Sequence, residues 1–179
     1  MTIRSFSLKP FPSDPSEPDF QIAGSIEWHS HILSLSYALL GPVAELALPA
    51  PAEQPSRKNS LWEETCFEVF LGVKNSPRYW EFNISPAGHW NVYRFNAYRQ
   101  GMEEEPSITS LLMNIDRRSE ALRLSIRIGL EHIFPGDQAL EAAVSAVIKT
   151  IQGTMTCWAL VHPGQRADFH RRDSFIIDL

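Results

Sequence analysis

The chain has 179 residues, 44% hydrophobic and 21% charged, with a formal net charge of −5. That length and balance fit one domain spanning 1–179 with its own hydrophobic core, and the acidic charge with no basic block excludes the electrostatic footprint of a nucleic-acid binder. The opening MTIRSFSLKPFPSDP lacks the apolar run of a secretory signal, and no run of about 18 apolar residues occurs, so a cytoplasmic protein without membrane contact is expected.

Residues 2–8, TIRSFSL, read as a first short strand. The following KPFPSDPSEPD, residues 9–19, carries four prolines in eleven positions and has to loop. From Phe20 the run FQIAGSIEWH sets Phe20, Ile22, Ile26 and Trp28 on one face, and ILSLSYALL follows after a two- to three-residue turn, which predicts a hairpin. A second proline-rich loop, PAPAEQPSRKN at 49–59, is long enough to form part of a pocket rim.

LWEETCFEVFLGV, from Leu61, alternates strongly: Phe67, Val69 and Leu71 on one side, Trp62, Cys66, Glu68 and Phe70 on the other. A face that was only core has little use for Glu68, and one that was only solvent has little use for Trp62 and Phe70, so the second side is the candidate site. In RYWEFNISPAGHWNVYRFNAY, Pro86 and Gly88 mark a hairpin turn. With Ser85–Gly88 as a four-residue loop, Asn83 lies opposite Trp90, Glu81 opposite Val92 and Tyr79 opposite Arg94. That register collects Tyr79, Glu81, Asn83, Trp90, Arg94 and Tyr98 on one face, and Trp80, Phe82, Tyr93 and Phe95 on a core face.

SITSLLMNID and EALRLSIRIGL predict another pair, with Leu122, Leu124, Ile126 and Ile128 inward and Arg123, Ser125 and Arg127 toward water. LEAAVSAVIKTI, 140–151, fits a helical stripe and a strand alternation alike; the surrounding sheet pattern assigns it as strand. MTCWALVH is a further strand, Pro163 and Gly164 turn the chain, and a terminal strand falls around Ser174–Ile177. About ten short strands predict an all-β, two-sheet antiparallel sandwich of immunoglobulin-like or jelly-roll-like kind. Cys66 and Cys157 sit in strand-like apolar segments and read as free buried thiols.

With LWEETCFEVFL, YWEFNISPAGHWNVYRF, SAVI, CWALVHP and DFH in view, the chain resembles the DOMON-like group of β-sandwiches, related to the family 9 carbohydrate-binding modules, and looks like an uncharacterised bacterial subgroup. The resemblance runs over most of the chain. It rests on a tryptophan and a glutamate six residues later, here Trp62 and Glu68. In sugar-binding relatives that tryptophan forms one wall of an aromatic clamp and that glutamate bonds sugar hydroxyls, with a strand-borne arginine that Arg94 matches by order. The second clamp tryptophan expected near the C-terminus has no clear counterpart, since Trp158 sits in an apolar strand. Other DOMON relatives hold a haem between Met and His; Met102, Met113 and Met155 pair with no His by any motif.

The residues themselves offer a ligand set of Trp62, Glu68, Glu81, Asn83, Arg94 and Tyr98: an aromatic to stack on a sugar ring and polar groups to fix hydroxyls. The same charges also read as a self-satisfied network around Arg94. His162, Asp168 and His170 read as a structural closing loop held by backbone hydrogen bonds. Glu64 and Glu68, about 13 Å apart along a strand, fit neither glycosidase geometry. No nucleophile elbow, phosphate loop or metal spacing appears, so no catalytic residue, metal or cofactor is assigned. The reading is a non-catalytic module for a saccharide or similar polyhydroxylated molecule. An enzyme or enzyme accessory acting on a small metabolite, a protein-interaction domain and a haem-binding domain stay open as alternatives.

Overall fold

A computed structural model describes residues 2–12 and 19–179, with Thr2 described in its backbone only. The proline-rich loop expected at 9–19 therefore falls largely outside the described residues. Twelve strands account for the regular structure: β1 (Thr2–Pro10), β2 (Gln21–His29), β3 (Ile32–Leu40), β4 (Cys66–Val73), β5 (Tyr79–Ile84), β6 (Trp90–Phe95), β7 (Glu103–Glu104), β8 (Leu112–Arg118), β9 (Ala121–Gly129), β10 (Leu140–Lys149), β11 (Met155–Ala159) and β12 (Ile177–Asp178). Among the described residues there is no α-helix, only three single 3-10 turns. The ambiguous 140–151 segment is strand β10. Packing explains the ambiguity: Leu140, Ala142, Val144, Ala146 and Ile148 face the main core while Ala143 lies in a second apolar cluster on the opposite face, so both faces are covered and nearly every position is apolar.

All ladders are antiparallel and follow one path, β7-β6-β5-β4-β10-β11-β1-β2-β3-β9-β8, with β12 beside β10. Two separate sheets were expected from the strand count; the observed path is continuous because β1 serves both halves. Its residues 2–8 pair with β2, and Lys9 and Pro10 pair with β11. The sheet curls until its two arms face each other. Phe67 on β4 packs 4.9 Å from Tyr37 on β3, and the Tyr37 hydroxyl donates to the Glu68 carbonyl. The core lies between the arms, with Ile22, Ile26, Leu33, Leu35, Leu39, Leu122 and Leu124 from one side and Phe67, Val69, Leu71, Phe82, Val92 and Val144 from the other.

The β2–β3 hairpin closes through Ser30 and His31, both with positive φ (48° and 60°), the left-handed pair that matches the twist of its strands. In β9, Leu122, Leu124, Ile126 and Ile128 are buried while Arg123 and Arg127 face solvent, as the alternation requires.

The β5–β6 hairpin differs from its expected register by one residue. The loop is Ser85–His89: the Ser85 N–H donates to the His89 carbonyl, the Gly88 N–H donates to the Ser85 carbonyl, and Gly88 sits at φ +99°. That is a three-residue turn ended by a left-handed glycine between one bonded pair, so Asn83 lies opposite Asn91 rather than Trp90. A one-residue slip exchanges the faces of the whole strand. Trp90, Val92 and Arg94 lie on the side of Trp80, Phe82 and Ile84, whereas Asn91, Tyr93 and Phe95 join Tyr79, Glu81 and Asn83.

Candidate functional site

The outer face of the β10-β4-β5-β6 quartet is built from register. Ser145 pairs with Glu68, Glu68 with Asn83, Asn83 with Asn91, and one step along Phe70 pairs with Ala143 and Glu81. A sheet face bearing this much apolar area has to be covered, and the segment from Pro163 to Ile176 crosses it before β12 pairs with β10. Phe175 packs tilted against Phe70 at 5.9 Å, His170 meets it edge-on at 5.3 Å, and Tyr79 stacks on Phe95 at 4.7 Å, making a second, smaller apolar cluster. Arg172 locks the crossing. Its guanidinium packs against Gly72, where any Cβ would meet it, and it donates to the Val73 carbonyl and to Glu141.

Where the crossing stops short, an open cavity of about 380 Å³ remains. Trp62, Glu68, Glu81, Phe95, Arg99 and Met102 line one part, and Val147, Met155 and the run Ala167–His170 complete it. Trp62 belongs to the 3-10 turn Leu61–Glu63 that precedes β4 rather than to the strand itself. It is half-buried and meets Tyr93 edge-on at 5.9 Å. Glu68 and Glu81 are 3% and 4% exposed, so each carboxyl reaches solvent only through the cavity. Ser145 Oγ donates to Glu68 Oε2 at 3.2 Å, and Asn83 Nδ2 donates to Glu81 Oε1 at 2.7 Å.

These carboxyls titrate far from their ordinary range. Burial, with the neighbouring Glu81 charge second, pushes Glu68 well up. Burial pushes Glu81 up to about 7, opposed by the Asn83 hydrogen bond and the Arg99 charge. His170 is pulled down to about 4, mainly by burial and then by Arg99. Tyr79 Oη accepts the Arg99 backbone N–H at 3.1 Å and shares a hydrogen bond with His170 Nδ1 at 2.9 Å. His170 Nε2 faces Glu81 Oε2 at 3.8 Å. Asp168 accepts from the Tyr98 hydroxyl at 2.5 Å, from Arg99 Nη2 at 2.9 Å and from the His170 backbone N–H at 3.2 Å, and these bonds hold its pKa below the usual value.

Of the residues singled out by sequence, Trp62, Glu68 and Glu81 share the cavity wall. Asn83 stands one layer behind, fully buried, orienting Glu81. Tyr98 is half exposed at the rim and fixes Asp168. Arg94 is elsewhere, because the slipped register turns it from this face: it pairs with Glu103 on the exposed edge at 2.6 Å. A network of Arg94 between two site glutamates is thus replaced by a surface ion pair. His162 bonds the Lys9 carbonyl at 2.9 Å, away from the cavity, whereas Asp168 and His170 line it as well as bracing the closing segment. Trp158 is buried in the main core with its indole N–H on Thr156, so it forms no second wall. The 49–59 loop lies along β6, with Arg57 donating to Asn91 and to the carbonyls of Val92, Glu105 and Ile108, and it contributes nothing to the cavity lining.

Sequence reasoning missed Arg99, Phe95, Phe169, Met102 and Met155. Phe95 was recoverable by counting the hairpin with Gly88 as its left-handed residue. Arg99 sits in a turn at φ +52° just after β6, where alternation says nothing about direction. Among the described residues no group of three or more His, Cys, Asp or Glu is placed to hold a metal ion, and no helix is long and apolar enough to cross a membrane.

The curled antiparallel sheet has solved counterparts. A candidate carbohydrate-binding protein from Bacteroides uniformis superposes with a TM-score of 0.66 over 97% of this chain and 84% of its own, at 13% identity. A family 9 carbohydrate-binding module from Caldicellulosiruptor kristjanssonii, solved with cellotriose, superposes with a TM-score of 0.51 over 87% of this chain and 72% of its own, at 10% identity. At these identities the likeness is one of fold. No family model and no curated protein sequence matches the chain.

Proposed function

We propose that this protein is a non-catalytic, DOMON-like binding module that takes a saccharide or similar polyhydroxylated molecule in the Trp62–Glu68–Glu81 cavity. In this reading the two arms of the curled sheet correspond to the two sheets of a sandwich, and the cavity is the ligand face of one of them. The observation that carries it is the pairing of a half-buried tryptophan with two buried carboxyls whose free oxygens open only into the same cavity. A sugar ring presents both an apolar face and directional hydroxyls, and this wall offers a partner for each. The fold shared with carbohydrate-binding proteins supports the same reading. Tyr79 and Asp168 are held within the wall by their own bonds, Tyr79 to His170 and Arg99 and Asp168 to Tyr98 and Arg99, whereas Glu68 and Glu81 keep oxygens free for the donors of a ligand.

Calorimetric titration of the purified chain against mono- and disaccharides tests this. Binding should be lost in Trp62→Ala with little change in melting, since a half-buried side chain at a cavity mouth contributes far less than the roughly 3–5 kcal/mol of a fully buried tryptophan. No heat from any sugar, together with a large drop in melting for Trp62→Ala, would sink the reading and leave Trp62 as packing.

A further inference from the structure

Glu68 and Glu81 are almost completely buried, yet every hydrogen-bond donor that reaches them is neutral: Ser145 Oγ on one and Asn83 Nδ2 on the other. Among the described residues no donor lies within bonding distance of Glu68 Oε1, and Glu81 Oε2 has only the His170 ring, 3.8 Å away. Each therefore directs an unpartnered oxygen into the cavity. Among the described residues the one cation in the lining, Arg99, is committed elsewhere, and so are the cations paired along this sheet and its crossing. Arg99 is tied to Asp168 at 2.9 Å, Arg94 to Glu103, Lys149 to Glu64, Arg171 to Asp173 and Arg172 to Glu141. The remaining lining, Trp62, Phe95, Phe169, Met102, Met155, Val147 and Ala167, is uncharged. Uncompensated carboxylates are not stable in such a place: they take up protons or they find a cation.

We propose that the missing cation belongs to the ligand, and that among saccharides this cavity takes an amino sugar whose ammonium pairs with the carboxyls of Glu68 and Glu81. This rests on the saccharide reading above and narrows it. An ammonium with three donors satisfies both open oxygens at once, and the aromatic faces of the wall favour a cation as well as a ring. A neutral sugar brings no cation, so the pair keeps its protons and gains no charge-assisted bond. A uronic acid brings a carboxylate beside buried carboxyls, with no free cation in the lining to meet it.

The test compares four ligands on the intact chain at pH 7 by calorimetric titration: D-glucosamine, D-glucose, N-acetyl-D-glucosamine and D-glucuronate. Exchanging a neutral for a charge-assisted pairing predicts D-glucosamine about tenfold tighter than D-glucose or the N-acetyl sugar, with D-glucuronate weakest. In Glu81→Gln, whose fold is verified by its melt, that advantage should fall to about threefold or less, since only one carboxyl remains. Glu68→Gln gives the same readout if the first variant does not fold. D-glucose binding as tightly as D-glucosamine, or an advantage undiminished in both variants, overturns the cation assignment while the saccharide reading stands. Heat from none of the four removes both.

Discussion

Replacing Glu81 by Gln makes the charge physics of the cavity visible in folding alone, with no ligand present. The folded carboxyl titrates near 7 against an ordinary 4.5, so between those values the folded chain keeps a proton that the unfolded chain has released. Stability then falls as pH rises through that window, and the full cost applies above pH 7. At about 1.4 kcal/mol for each pH unit of separation, Glu81 costs the fold about 3 kcal/mol there. His170 has the opposite sign: held to about 4 against 6.5, it takes its proton first in the unfolded chain, and its contribution is lost as pH falls from 6.5 to 4. The two slopes oppose one another between pH 4.5 and 6.5. The other groups facing Glu81 are Cys66 and Glu68 on β4, Tyr79 on β5, Tyr93 on β6, and Arg99 and Asp168 at the rim. Glu68 adds to the Glu81 slope, since burial raises it too and the Glu81 charge raises it further. The Gln amide oxygen can still accept the Asn83 bond, so little else is disturbed. Urea unfolding followed by circular dichroism should show Glu81→Gln more stable than wild type at pH 8, by a margin approaching about 3 kcal/mol that closes near pH 4.5. A variant equally or less stable at pH 8, or a difference independent of pH, would refute the reasoning.

Three further substitutions separate structure from site. Tyr37→Phe removes the hydroxyl that reaches across the core to the Glu68 carbonyl and should cost about 1–3 kcal/mol in urea unfolding, the penalty of a buried acceptor left bare. Arg94→Ala breaks only an ion pair whose side chains are 41% and 61% exposed, so stability should change by less than about 1 kcal/mol and sugar affinity not at all. His162→Ala loses its bond to the Lys9 carbonyl and should cost about 1 kcal/mol in a thermal melt, again without effect on binding.

Alternation in β4 and β9 identified their buried faces because each pairs on both sides while differing in what covers it: core alone for the inner face, cavity or solvent for the outer. Glu68 was legible for the same reason, as a carboxylate among aromatics on a strand. Alternation fixes faces only within a strand. Across a hairpin the faces depend on the loop count, and miscounting the Gly88 turn by one residue moved Arg94 into the site and Phe95 out of it. β10 gave no usable period because both its faces are buried, and neighbouring strands decided it. The closing segment was the least legible part. His170 and Asp168 lie in irregular chain, where neither period applies, and their entry into the cavity depends on Arg172 docking over Gly72, a contact between residues distant in sequence.

The measurement that bears most directly on the saccharide site is the indole region of a proton–nitrogen NMR spectrum during titration with glucose, cellobiose and glucosamine. The chain has five tryptophans, and their indole signals act as internal controls for one another. Trp62 alone lines the cavity, while the Trp80 and Trp158 indoles are buried on Glu105 and Thr156. A bound sugar is predicted to shift the Trp62 signal and leave those two in place. A Trp62 signal that stays fixed at saturating concentrations of all three sugars would contradict a saccharide site in this cavity.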